Sequence, residues 1–181
     1  MKALIFAKIL IKINPELFSD KSSLEYSPKT TNTDYKLEKK PAIGSLILNK
    51  YLHIGQMIFL ALNNKKLFED DVICFLNGGV VLEVCDKWQD IVKNPALNKA
   101  EKKNLIKKEK IETFAQFLIN LLQDYTPAKL IEISHLDPGW EAREMYISRD
   151  FKKNKINMDE CIESYKEIFS EDIEEFRKIN A

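Results

Sequence analysis

The chain contains little cysteine, arginine or histidine, and each shortage narrows its possible functions. Among 181 residues there are three cysteines, three arginines and two histidines. An odd set of widely spaced cysteines does not form a disulfide framework and is typical of a reducing cytoplasm. So few arginines disfavour the bidentate recognition of phosphate groups. With two histidines and no Cys-x-x-Cys pair, we expect neither a metal site nor a cofactor.

The chain also lacks a net charge and a long uncharged apolar run. Acidic and basic residues balance at 28 each, so no electrostatic field favours nucleic acid or an anionic membrane as a partner. No segment reaches the roughly 18 uncharged apolar residues that a membrane-spanning helix needs. The apolar N-terminus is interrupted by Lys8 and Lys12 and has no cleavage-site pattern, so it is not expected to be a signal peptide. These features predict a cytoplasmic protein.

Apolar residues make up 45% of the chain, which is enough for one domain with a sizeable core. Apolar side chains recur at helical spacing over residues 2–13, 45–62 and 111–125, and the middle segment has two apolar stripes, as a central core helix should. Residues 15–42 are polar and contain two prolines, which predicts a loop insertion. We therefore expect a mainly α fold: a single compact domain over residues 1–181, with about six helices and a small β-hairpin-like element.

The β element is expected at Val72–Leu76, where β-branched residues precede the hairpin signal Asn77-Gly78. Two structures are possible after this turn. Val80–Val84 could be a return strand, or the chain could enter a helix at once. The helix explains Trp88 better and is preferred. Its apolar face would consist of Val81, Val84, Cys85 and Trp88.

Three dipeptide or capping signals predict helix starts in the second half of the chain. Thr126-Pro127 and Asp137-Pro138 each place a capping side chain before a proline at the first helical position. Asn157 with Glu160 resembles a capping box that opens the last helix. The buried face of that helix is expected to contain Met158, Cys161, Ile162, Tyr165, Ile168 and Phe169.

No assembled catalytic set is visible in the sequence, and no catalytic residue is predicted. His53 lies inside the central helix, where a hydrogen-bonded structural histidine is expected. Cys74 and Cys85 lie in apolar patterns and are expected in the core. The glycine pair after Asn77 is most simply a turn. The acidic run over 171–175 and the lysine-rich run over 102–110 are expected to be solvated helix faces.

The segment Ser134–Arg143, SHLDPGWEAR, carries the candidate partner-binding residues. Trp140 follows a turn in a polar segment, and tryptophan and arginine are enriched at the energetic centres of protein interfaces. One interpretation is that Trp140 packs on the core and the histidine bonds a backbone carbonyl. The functional interpretation is a partner-contact surface. Its residues would be His135, Asp137, Trp140 and Arg143.

Four motifs in a fixed order carry a family resemblance. Ile47–Gln56, ILNKYLHIGQ, is similar to the family pattern K-L-Q-K-L-L-Y-Y-A-Q, and Asn64–Phe68, NKKLF, is similar to a Gly-Lys-Pro-Leu-Phe segment. Asp70–Phe75, DDVICF, followed by Gly78–Cys85, GGVVLEVC, is similar to an acidic hairpin that ends in Ala-Trp and is followed by Gly-Pro-Val-Val-Pro-Glu-Leu-Tyr. Leu130–Trp140 is similar to a Leu-x-x-Leu-(Thr/Ser)-His segment leading to Pro-Trp, with one glycine inserted before the tryptophan. Together they resemble the Panacea antitoxin domain family, also described as SocA-like or phage-associated GepA-like. The matching positions expected to be structural are Leu48, Lys50, Leu52, Gln56, Phe68, Gly78, Val80 and Val81. The departures are Phe75 for a tryptophan, Gly79 and Leu82 for two prolines, and Cys85 for a tyrosine.

The resemblance implies a mainly helical fold and a role as the antitoxin of a two-component pair. Such a protein would neutralise a toxin encoded by an adjacent gene through direct binding, and some relatives deliver the toxin to a protease. Two alternatives remain open from the residues themselves. One is a small hydrolase-like enzyme using His135 with a cysteine or an acid brought close by folding. The other is a phage-derived regulatory scaffold without a toxin.

Overall fold

A computed structural model describes residues 1–19, 42–75, 77–105, 108–136 and 154–180. In these ranges the chain forms eight helices and one two-stranded sheet, so the mainly α fold with a small hairpin is confirmed. Most of the loop predicted over 15–42 lies outside the described residues. In chain order the elements are α1 (Ala3–Ile13), α2 (Ile43–Asn63), β1 (Ile73–Phe75), β2 (Gly78–Val80), α3 (Leu82–Lys93), α4 (Lys99–Asn104), α5 (Lys108–Leu122), α6 (Pro127–Ser134), α7 (Met158–Ile168) and α8 (Ser170–Ile179).

Helix α2 is the central element, as its two apolar stripes predict. The hairpin and the helices α1, α3, α5, α6, α7 and α8 all pack on it, and nearly all of its side chains up to Ile58 are buried. By length and composition α2 could cross a membrane, but 83% of its apolar window is buried inside the protein. Its apolar character is therefore explained by its central position. The helix ends at Asn64, whose left-handed φ of 51° suits asparagine.

The hairpin combines both structures considered for the region after β1. Strand β2 returns antiparallel to β1 with Cys74 opposite Gly79, but it stops at Val80, and α3 begins two residues later. The buried face of α3 is formed by Val84, Trp88 and Ile91. Cys85 is exposed, so its predicted core position is wrong. It lies about 100° around the helix from Val84 and off the face that packs inward.

Two of the predicted helix starts are present in the described residues. Thr126 caps α6, and Pro127 is the first helical residue. Asn157 caps α7 through its side-chain oxygen, which accepts a hydrogen bond from Asp159 N at 3.2 Å. The third start, Asp137-Pro138, lies outside the described residues.

The predicted last helix is divided into α7 and α8. The chain leaves helical geometry at Phe169, whose ring is buried, and Ser170 begins the next helix. Ile168 is 47% exposed, so its predicted place on the buried face is wrong. It is the last residue of α7, where the change of direction turns Phe169 inward instead. Met158, Cys161 and Tyr165 are buried as expected.

The first part of the lysine-rich run lies in the short helix α4. Asn98 and Glu101 form a reciprocal capping box at the start of α4. Glu101 also pairs with Lys8 of α1, with Nζ and Oε1 2.7 Å apart, and both side chains are mostly shielded from water. The ion pair between Lys8 and Glu101 therefore links α4 to α1.

Candidate functional site

Helix α2 carries a line of polar side chains into the interior of the protein. Five of its polar residues are buried, although the rest of the helix is mostly apolar. Several of them reach other segments, namely the hairpin, the chain that follows α2 and the end of α6. The buried polar residues of α2 are Ser45, Asn49, Lys50, His53 and Gln56.

Lys50 joins α2 to the hairpin. Its ammonium group donates a hydrogen bond to the Gly79 carbonyl oxygen at 2.9 Å. Gly78 has a φ of 95°, and a Cβ atom there would overlap both the Ser134 hydroxyl and Lys50 Nζ. Only glycine tolerates this conformation and this close approach. We refer to Lys50, His53, Gly78, Gly79 and Ser134 as the hairpin junction.

The charge of Lys50 has little compensation. Burial lowers its pKa from 10.5 to about 7, and the nearby thiols of Cys74 and Cys85 oppose this shift. No carboxylate of the described residues forms an ion pair with it. A buried amine with such a pKa is about half protonated at neutral pH, so the charge of the hairpin junction is sensitive to its surroundings.

His53 lies one helical turn after Lys50 and is 1% exposed. In the described part of the protein, neither of its ring nitrogens has a hydrogen-bond partner. The expectation of a hydrogen-bonded structural histidine is therefore wrong for the ring nitrogens, because the ring packs against the Gly79 backbone and the Tyr165 ring instead. Burial is the main cause that lowers the pKa of His53 to about 3, and the charges of Lys50 and His135 add to it.

The end of α6 is held by two hydrogen bonds to its last carbonyl groups. The Ser134 hydroxyl donates to the Ile131 carbonyl oxygen at 2.8 Å. The phenol of Tyr165, from α7, donates to the Ile133 carbonyl oxygen at 2.9 Å. His135 follows directly as the C-terminal cap and is half-buried. The helix end from which the chain continues is thus held by its own last side chain and by one side chain of α7.

Two amides of α2 hold the neighbouring segments. The Gln56 side-chain oxygen accepts hydrogen bonds from the backbone of Leu67 at 2.8 Å and of Phe68 at 3.1 Å, and its nitrogen donates to the Phe68 carbonyl oxygen at 2.9 Å. The Asn49 side-chain oxygen accepts from Val81 N at 2.9 Å, where the chain passes from β2 into α3. Both amide side chains thus provide hydrogen-bond partners for backbone groups that are not paired within a helix or strand.

The residues singled out from the sequence fall into three groups. His135 lies beside the hairpin junction and contributes to the field at His53. The other candidate contact residues, Asp137, Trp140 and Arg143, lie outside the described residues. The family-motif positions are buried, except for Val80, which is half-buried. Two of them make hydrogen bonds to other segments, since Lys50 bonds the Gly79 carbonyl oxygen of the hairpin and Gln56 bonds the backbone of Phe68.

Sequence reasoning missed the contact between Lys50, His53 and Ser134. A signal was available, since Lys50 and His53 are three residues apart in a helix whose other positions are almost all apolar. Such spacing places both side chains on one helix face, which must then be buried or exposed together. The partners on the hairpin and on α6 could not be read from spacing, because they are distant in the chain.

The chemistry available at the hairpin junction is limited by burial. An amine with a lowered pKa beside a hydroxyl is the kind of pair that can activate a serine nucleophile. Here the Ser134 hydroxyl donates to the Ile131 carbonyl, and both Ser134 and Lys50 are buried away from solvent. In this geometry Lys50 and Ser134 have a structural role: they link α2, the hairpin and α6. Among the described residues no group of three or more His, Cys, Asp or Glu could hold a metal ion.

An open groove of about 420 Å³ lies elsewhere, between the end of α2 and the helices α7 and α8. Arg177 crosses from α8 and donates to the Ala61 carbonyl oxygen at 3.1 Å. None of the residues predicted from the sequence to form a site lines this groove.

Comparison of the chain with protein-family models, with curated proteins and with solved structures finds no match in any of the three. A proposal for function therefore depends on the order of the sequence motifs and on the geometry of the residues that carry them.

Proposed function

We propose that this chain is an antitoxin-like protein of the Panacea type that binds and neutralises a toxin encoded nearby in the cytoplasm. One observation carries the proposal: the motif positions meet in space. Lys50 bonds the hairpin that contains Gly78, and Gln56 bonds the backbone of Phe68. These hydrogen bonds connect three of the four matched motifs at buried positions, and this supports their interpretation as one structural unit.

The hairpin junction also supports a binding role through what it holds in place. Ser134 and Tyr165 fix the end of α6, and the chain continues from there into the segment with the candidate contact residues. A segment that is attached to a fixed helix end loses less conformational entropy on binding a partner than a segment with two free ends. His135, half-buried at this end, is at the boundary between the support and the contact segment.

The partner is proposed to be a protein, with delivery to a protease as a further step that the resemblance implies. Trp140 offers a large apolar surface and Arg143 a planar group with several donors, and such residues dominate binding energy at protein interfaces. Their removal should therefore weaken the complex much more than the removal of a charged residue elsewhere.

Co-expression with the product of the adjacent gene tests the proposal. We expect growth to be restored by the wild-type chain and lost with Trp140→Ala or Arg143→Ala, each weakening the complex about 30-fold. Lys102→Ala, in the exposed part of α4, is the control and should bind like the wild type. The affinity of each variant can be measured by isothermal titration calorimetry, which needs no tryptophan signal and can therefore be applied to Trp140→Ala as well.

The proposal fails if co-expression leaves toxicity unchanged and the purified proteins form no complex. A loss of the helical circular-dichroism signal in Trp140→Ala would instead support a packing role for Trp140. In that case Arg143→Ala still tests the contact segment, because an arginine in a polar segment can be truncated without opening the core.

A further inference from the structure

The hairpin junction contains two basic side chains and no acid. Lys50 and His53 are both 1% exposed, and His135 lies nearby at the end of α6. Lys50 has a neutral carbonyl as its acceptor, and the two ring nitrogens of His53 have no partner in the described residues. Buried charges are normally paired with an opposite charge, so the junction is built to hold His53 without a proton.

We propose that the hairpin junction is a pH-sensitive latch, which is closed while the His53 ring is neutral and opens when that ring takes up a proton. In the closed state an imidazolium would have no acceptor, and the ammonium group of Lys50 would repel it. There is also no room for a water molecule between Nδ1 and the hairpin, since a Cβ atom at Gly79 would already overlap the ring there. A protonated His53 therefore has to reach solvent, which separates α2 from β2.

The titratable groups that face the pair do not compensate a second positive charge. They are thiols, a phenol and an imidazole: Cys74 from β1, Cys85 from α3, Tyr165 from α7 and His135 from α6. The charged groups described on the surrounding elements are exposed or engaged elsewhere, for example Lys8 with Glu101, Lys108 with Glu112, Lys129 with Glu132, and Arg177 with the Ala61 carbonyl.

Opening of the latch would also disturb the packing at the end of α6. Gly78 of β2 packs directly against Ser134, so a displaced hairpin removes one of the supports of that helix end. The position of His135 at this helix end would then differ between acid and neutral pH. This inference stands on the buried basic residues and does not depend on the proposed antitoxin function.

Unfolding in urea at a series of pH values tests the latch. The pKa of His53 is about 3 in the folded protein against an ordinary value of 6.5, so stability is lost as the pH falls from about 6.5 towards 3. Between pH 7.5 and pH 4.5 the unfolding constant should rise about 100-fold from this residue alone. His53→Leu should lack this rise, whereas the matched control His135→Gln should retain it. Equal rises in the wild type and in His53→Leu would overturn the proposal.

Two measurements on the wild-type chain complete the test and do not depend on how a variant folds. The imidazole NMR signals of His53 should remain those of the neutral ring through the pH range in which an ordinary histidine takes up a proton. The protection factor of the Val81 amide hydrogen, which bonds Asn49, should fall with acid before those of the amides inside α1 do. Titration of His53 near pH 6.5 with the Val81 amide still protected would overturn the latch.

Discussion

Gln56 and Lys50 are both buried on α2, yet their surroundings differ. The Gln56 amide makes three hydrogen bonds to the backbone of two residues and leaves no partner unpaired. The Lys50 ammonium group donates to one carbonyl, beside a histidine whose ring has no partner among the described residues. One helix thus makes one contact that contains no titratable group, at Gln56, and another whose stability depends on protonation, at Lys50 and His53.

The physical reason is the match between donors and acceptors. A neutral amide offers a carbonyl oxygen and an NH₂ group, which suit the free backbone groups of a turn and bring no charge into the core. An ammonium group brings three donors and a charge, and its burial is costly unless an anion faces it. Three predictions follow from this difference, in order of decreasing effect.

The largest effect is expected from the titration of Lys50. Its folded pKa of about 7 lies below the ordinary 10.5, so the unfolded chain binds more protons between these values and stability rises with pH in this window. From pH 7 to pH 9.5 the wild type should gain about 3 kcal/mol relative to Lys50→Met. Urea unfolding at both pH values measures the gain. Lys12→Met, at an exposed site of α1, should follow the wild type, and an equal gain in Lys50→Met would contradict this account.

Loss of the Gln56 amide should have the next largest effect. Gln56→Leu keeps the volume but leaves the Leu67 and Phe68 amides and a carbonyl buried without partners, which should cost about 2.5 kcal/mol of unfolding free energy. The cost should not change with pH, unlike that of Lys50. The control is Gln116→Leu on the exposed part of α5, where less than about 0.5 kcal/mol is expected. A pH-dependent cost for Gln56→Leu would remove the contrast between the two joints.

The smallest effect separates two buried tyrosines. Tyr165 donates to the Ile133 carbonyl oxygen at 2.9 Å, so Tyr165→Phe should lower the unfolding free energy by about 1.5 kcal/mol. The hydroxyl of Tyr51 is also buried but has no partner in the described residues, so Tyr51→Phe should be neutral or slightly stabilising. Thermal unfolding of both variants gives the comparison. Equal losses would mean that the Tyr165 bond contributes nothing beyond the ring.

Much of the helical structure could be predicted from local patterns. The two stripes of α2, the Thr126-Pro127 start and the Asn157 cap are properties of a few neighbouring residues, and the structure contains all three. The errors lie where local patterns are incomplete. Cys85 and Ile168 were placed on apolar faces by spacing alone, but the first lies off the inward face of α3 and the second lies where α7 turns into α8.

The candidate site was less predictable than the fold. His135 is a candidate because it lies in the SHLDPGWEAR segment with Trp140 and Arg143, but its neighbours Lys50 and His53 are more than 80 residues away in the chain. His53 was expected to be structural and hydrogen-bonded. Whether a buried ring finds a partner depends on which backbone carbonyl groups surround it, and the hairpin packs a glycine against this ring instead.

The sequence by itself determined the fold class, the central position of α2 and the turn at the hairpin, because apolar spacing and turn chemistry act over a few residues. It also contained the ordered motifs on which the proposed antitoxin function depends. Only the tertiary structure decided that Lys50, His53 and Ser134 meet around two glycines. Burial removes the water that would otherwise solvate Lys50 and His53, so contacts between distant segments set their charge. The SHLDPGWEAR segment continues from this junction.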